Sequence, residues 1–216
     1  MTESAAVDDE IMEGVKQALR RHGYAELTMQ DIADECTKSK SLLHYHYDTK
    51  ADLLVAFLDQ LITDYEQRMD CRADQPPGQR LVDFVARFVF TPEDDDREAF
   101  HLALLEMRSQ GPFNDRIREQ LERSDRQLRE TAADILSEGI EMGVFEPVDP
   151  ERTAALLVAT LDGARTRQIT LGEANDSYTR TVVEEILARV IDPILAEGHS
   201  LPSLEATLAE LEAERS

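Results

Sequence analysis

The chain has 216 residues, of which 42% are apolar, and carries 45 Asp+Glu against 23 Lys+Arg for a formal net charge of -22. That apolar share supports a sizeable core and argues against disorder. No run approaches the roughly 20 apolar residues that span a bilayer, and the acidic start Met1–Glu10 lacks the apolar region of a secretory signal, so a cytoplasmic protein without membrane contact is expected.

Helical periodicity runs through nearly the whole chain and no alternating strand pattern stands against it, so the fold class is all-α, with about nine to ten helices. The first helix is expected over Asp8–His22, with Ile11, Val15, Ala18 and Leu19 as its apolar stripe and Gly23 as its stop. Thr28 and Asp31 read as a capping-box start for the second, which turns Ile32, Ala33 and Cys36 inward. A turn at Cys36–Lys38 leads to Ser39, the N-cap of a short third helix ending near Tyr47. Thr49 and Asp52 open a longer helix through Leu53, Leu54, Phe57, Leu58, Leu61 and Tyr65 towards Cys71. Cys36 and Cys71 show neither disulfide nor zinc spacing and read as small hydrophobes. No metal or other cofactor is expected.

Gln75-Pro76-Pro77-Gly78 is the clearest break. Beyond it, Leu81, Phe84, Val85 and Phe88 stripe one helix; Thr91–Asp96 is an acidic loop or helix start, and Phe100–Arg108 is a strongly apolar helix. A long helix is expected over Asn114–Met142, ended by Gly143. Asp149-Pro150 is an N-cap followed by proline at the first helical position, starting a helix that runs to about Leu171. The next is expected over Ser177–Glu197, and Ser203–Arg215 makes a last amphipathic piece.

Charge is unevenly placed. All four lysines, Lys16, Lys38, Lys40 and Lys50, lie in residues 1–50, where 6 Lys+Arg face 10 Asp+Glu, a net of -4; residues 51–216 hold 17 Arg and 35 Asp+Glu, a net of -18. Scarce lysine, retained arginine and surplus carboxylate fit a molar-salt cytoplasm, as in a halophilic archaeon. Helix, short turn, short helix is the helix-turn-helix layout, in which the second helix enters the major groove. Ser39 and Ser41 are short donors beside a positive helix end, Lys38 and Lys40 add charge there, and Tyr45 and His46 offer donors on apolar bodies. Lys50 in a first helical turn opposes the helix dipole, which a phosphate partner would explain. His44 and His46 are two apart and face different ways, which argues against a metal pair.

The runs Leu27-Thr28-Met29-Gln30-Asp31-Ile32-Ala33 and Ser39–Leu54 resemble the DNA-binding domain of the TetR family of transcriptional regulators. The likeness covers about residues 8–58, with the motif itself at about 28–47. It departs where Thr37 replaces the turn glycine, Lys38 the turn valine and His44 the recognition-helix tyrosine. Tyr47 takes the place of a packing phenylalanine, Leu43 is expected in the core, and Leu42 faces a thymine methyl or the sugar backbone. The resemblance implies a homodimeric, ligand-responsive repressor of a palindromic double-stranded DNA operator. Thr28, Lys38, Ser39, Lys40, Ser41, Leu42, His44, Tyr45, His46 and Lys50 would touch DNA. It also implies a larger effector-binding and dimerisation domain, 59–198, followed by an acidic helix or tail, 199–216. An unknown small-molecule effector would meet polar groups such as His101, Glu106, Arg108, Asp162, Arg165 and Gln168. Leu156, Leu157, Thr160, Leu161 and Ala164, with Val183, Ile186, Leu187, Val190 and Ile191, would form an isologous four-helix interface. The alternative is an all-α small-molecule-binding protein or enzyme. No nucleophile–base pair, metal spacing or phosphate loop supports an enzyme.

Overall fold

The computed structural model describes residues 3–36, 38–70, 72–89, 95–171 and 178–213, without the side chains of 3–6, 65–70 and 95–100. Ten α-helices lie within these residues: α1 (Glu3–Glu26), α2 (Met29–Glu35), α3 (Lys40–His46), α4 (Lys50–Asp70), α5 (Pro77–Ala86), α6 (Asp95–Arg108), α7 (Asp115–Glu141), α8 (Pro150–Leu171), α9 (Tyr178–Ile186) and α10 (Leu204–Ala213). Among the described residues there is no strand, only a β-bridge between Phe145 and Leu195. No described helix is long and apolar enough to cross a membrane.

The helices form two compact units. Residues 1–65 and 94–124 make the first; 66–93 and 125–216 make the second. An expected boundary at residue 58 therefore falls inside α4, and α6 with the start of α7 joins the helix-turn-helix region rather than the second unit. The first core gathers Ile11, Val15, Ala18 and Leu19 of α1, Ile32, Ala33 and Cys36 from the end of α2, Leu43 of α3, Leu53, Leu54, Phe57 and Leu58 of α4, and Ala103 and Met107 of α6. The helices approach closely: a Cβ on Gly14 would stand 2.6 Å from the Cys36 Cβ, so only glycine lets α1 reach the end of α2. Cys36 is a free, buried thiol, and burial pushes its pKa up.

Local signals place most helix starts. Thr28 and Asp31 form the reciprocal capping box, Ser39 accepts from the Leu42 N–H, and Asp149 accepts from the Arg152 N–H at 3.0 Å with Pro150 next. α1 begins earlier than its stripe suggests, at Glu3; Gly23 (φ 66°, ψ 173°) breaks it and one more turn follows to Glu26. α6 starts at Asp95 and not Phe100. Thr91–Asp94, Thr37, Cys71, Gly172 and Ser177 lie outside the described residues, as do the side chains of Tyr65 and Phe100.

In the second unit α5 is buried on nearly every side, including Asp83, whose carboxylate meets Arg72. Its end at Ala86 leaves Phe88 in a turn, where it packs 5.7 Å from the Phe84 ring centre. A single helix over Ser177–Glu197 is not what forms. α9 stops at Ile186, a π-helical stretch spans Leu187–Ile191, and a 3-10 turn spans Asp192–Ile194. Pro193 lacks the N–H an α-ladder needs there, and the chain widens ahead of it. α10 packs on α5, burying Leu208 and Leu211, so residues 204–213 belong to the second unit.

Candidate nucleic-acid interface

The turn between α2 and α3 is held by backbone bonds from Cys36 N–H to Ile32 and from Lys38 N–H to Ala33. Leu43 then fixes α3 on the core with no exposed surface. A 3.6-residue turn with that side inward leaves Ser39, Lys40, Ser41, His44 and Tyr45 facing out. Tyr45 is 84% exposed, unusual for a large aromatic, and its ring meets His46 edge-on at 5.3 Å. Leu42 and Tyr47 are half-buried at the margins; Tyr47 packs against the core cluster, and burial raises its phenol pKa.

The four lysines do not act as a set. Among the described lysines, Lys40 alone carries no ion pair or side-chain hydrogen bond, and it stands exposed at the start of α3. Lys38 is half-buried with its Nζ 2.7 Å from Glu10 Oε2, and Lys16 lies 3.7 Å from Glu13. His46 Nδ1 is 3.9 Å from Asp8 Oδ1. The Thr28 hydroxyl donates to Asp31 Oδ2 at 2.7 Å, which lowers the Asp31 pKa; this hydroxyl is committed to its cap.

Lys50 is turned inward. Its Nζ donates to the Tyr24 and Leu27 carbonyls at 3.0 and 2.9 Å and lies 4.8 Å from the Tyr24 ring centre. Burial lowers its pKa. The placement that a phosphate partner would explain thus has an internal cause as well: the ammonium satisfies carbonyls left open where α1 breaks. Glu106, expected among ligand-contacting groups, completes the same junction from α6, its Oε2 accepting the Tyr24 N–H at 2.6 Å. The start of α4 is also tied to α7: Asp52 caps Thr49 and pairs with Arg116, both of which lower its pKa, while Asp59 pairs with Arg123 one heptad on. Neither Glu10 nor Glu106 was identifiable as a structural partner from sequence, because nothing local marks a carboxylate whose partner is distant.

The remaining candidates divide. His101 and Arg108 are half-buried in the first unit, whereas Asp162, Arg165 and Gln168 belong to the second. The Arg165 guanidinium sits 4.3 Å over the Phe88 ring, and Gln168 Oε1 accepts the Thr179 N–H at 2.9 Å, bridging α8 to α9. The expected dimer set also splits. Leu157, Leu161, Ala164, Val183, Ile186 and Ile191 are buried within the protomer and cannot meet a second copy without unpacking it. Leu187 and Val190 are half-buried. Leu156, 54% exposed, Ala159, Thr160 and Gly163 form the outward strip of α8.

Residues 11–57 match the family model for bacterial regulatory proteins of the tetR family, and residues 77–196 match that for the C-terminal part of BetI-type transcriptional repressors. None of the curated proteins compared with the chain matches it. A TetR transcription regulator from Haloarcula marismortui is 36% identical, with a TM-score of 0.78 over 88% of this chain and 99% of that one. A transcriptional regulator from Saccharomonospora viridis in complex with choline is 24% identical (TM-score 0.73; 89% and 100% covered). The regulator FadR from Bacillus subtilis in complex with stearoyl-CoA is 18% identical (TM-score 0.67; 84% and 98% covered).

Proposed function

The chain belongs to the TetR family of transcriptional regulators, DNA-binding proteins with an N-terminal helix-turn-helix, and from that premise we propose that it is a cytoplasmic, homodimeric repressor which leaves a two-fold operator when a small molecule binds. The observation that carries the operator face is the outward set on α3, held in place by the wholly buried Leu43. Ser39, Lys40 and Ser41 would meet phosphates and base edges at the helix start, and His44 and Tyr45 would reach into the groove, with Leu42 and His46 at its margins. Lys38, Thr28 and Lys50 act on the frame of the reading helix rather than on DNA.

The outward strip of α8 supports the dimer: Ala159, Thr160 and Gly163 are small enough for another helix to approach, and Leu156 supplies apolar area. A two-fold pair of reading helices then matches a palindrome. The BetI-type repressor model that matches residues 77–196 favours repression. Effector control requires a ligand that prefers one of two conformations. Choline and stearoyl-CoA, held by two structural relatives, are the first compounds to titrate. A salt-rich cytoplasm belongs to the same proposal, on 45 acidic residues against four lysines.

The test is fluorescence anisotropy in molar KCl with a labelled duplex from the DNA upstream of the protein's own gene. The wild type should bind it, and Lys40→Ala combined with Tyr45→Ala should abolish specific binding without altering thermal stability. Undiminished binding by that double variant refutes the operator face.

A further inference from the structure

We propose that the acidic edge of α1 is a built-in counter-charge that keeps Lys38 from engaging DNA phosphate, so that Glu10 sets how strongly binding depends on salt. The inference rests on α3 being the reading helix. Lys38 directly precedes Ser39, the cap of α3, and His46 is the last residue of that helix. Each is faced by a carboxylate from the first turns of α1: Glu10 at 2.7 Å from Lys38 and Asp8 at 3.9 Å from His46. One acidic edge thus flanks both ends of the DNA-facing helix. The Lys38 and Glu10 side chains are 27% and 41% exposed, at the rim rather than in the core.

An ion pair this exposed adds little to folding. Its effect on a polyanion is larger. A phosphate nearing Lys38 also nears the Glu10 carboxylate, so the lysine enters the complex already neutralised. A neutralised lysine displaces no condensed counterion, and counterion release is what makes DNA affinity fall with salt. Lys40 is then the one lysine of the set that contributes by that route among the described residues.

The experiment measures affinity for the upstream duplex, and for a random duplex of equal length, across about 0.5 to 3 M KCl. Glu10→Gln keeps the shape and removes the charge. Its plot of log affinity against log salt should steepen by about 0.9 per protomer, a gain over wild type of about twofold per protomer for each halving of KCl. Lys38→Met bares the Glu10 carboxylate and should weaken binding, whereas the double variant, which carries neither charge, should return Glu10→Gln to wild-type affinity and slope. Unchanged or weaker binding by a folded Glu10→Gln protein overturns the proposal. So does a slope flatter than wild type for the double variant, which would mean that the lysine already serves DNA; this variant decides the matter if Glu10→Gln alone fails to fold. The Lys40→Ala plus Tyr45→Ala protein separates the two ideas. Its undiminished binding refutes the reading helix itself, whereas its loss of binding together with a silent Glu10→Gln refutes only the counter-charge.

Discussion

Lys50→Met distinguishes an internal clasp from a phosphate contact, because only the clasp operates without DNA. The substitution removes two hydrogen bonds from an ammonium to the Tyr24 and Leu27 carbonyls, at 3.0 and 2.9 Å. A bond from a charged donor contributes about 1.5–3 kcal/mol net, and orphaned carbonyls add their own desolvation cost. Opposing this, burial lowers the Lys50 pKa, so a cation that is costly to desolvate is also removed. Methionine retains most of the apolar stem beside Tyr24. The balance is a loss of about 2 kcal/mol. At roughly 2–4 °C per kcal/mol for a chain of this size, the melting temperature should fall by about 4–8 °C. The assay is thermal unfolding by circular dichroism in molar KCl with no DNA present. A melting temperature within about 1 °C of wild type would refute the clasp and return Lys50 to the phosphate backbone.

Two further outcomes follow from named contacts. Asp31 and Asp52 have pKa values lowered chiefly by the hydroxyls of Thr28 and Thr49. The folded state therefore holds their protons less tightly than the unfolded chain, and the stability they contribute is present above the unfolded value of about 3.9 and lost as pH falls through the lower folded value. Asp52→Asn should be less stable near neutrality and show a shallower loss below about pH 4 in acid titrations of unfolding; an acid limb identical to wild type would count against that linkage. Leu156→Arg, on the outward strip of α8, should shift the protein towards monomer in light scattering while leaving its helicity intact; an unchanged mass would remove α8 from the interface.

What was legible in the sequence was local. Thr28, Ser39 and Asp149 announce helix starts because an N-cap and its partner lie within three residues. The inward turn of Leu43 and the burial of Ile11, Val15 and Leu19 follow from a 3.6-residue period. α8 shows where that reasoning stops. Leu156 and Leu157 are neighbours of equal hydrophobicity, yet one is 54% exposed and the other wholly buried. Two apolar faces fix a helix, but not which face meets its own unit and which is left for another molecule. Distant partners were equally hidden: Glu10 and Glu106 are two carboxylates among 45 acidic residues, and nothing local separates the one beside Lys38 from the one beneath Tyr24. The inward turn of Lys50 was hidden for the same reason, since its carbonyl partners lie 23 and 26 residues away.

The lysine cluster therefore means something other than a basic patch. Of four lysines, two are paired with glutamates, one is folded inward and Lys40 stands free. Against a net of -18 in residues 51–216, one exposed lysine cannot draw in DNA by charge. At molar salt it need not, because the entropy gained by releasing counterions shrinks towards nothing as the bulk concentration approaches that around the duplex. What salt does not remove is the geometry of short donors and the contact of an aromatic ring with a groove. On the proposed operator face the outward residues of α3 would supply these, in two serines, a histidine and a tyrosine. On that face, and in the salt-rich cytoplasm proposed with it, the protein would lose little by silencing its lysines, and in dilute conditions it would gain protection against sticking to any polyanion it meets.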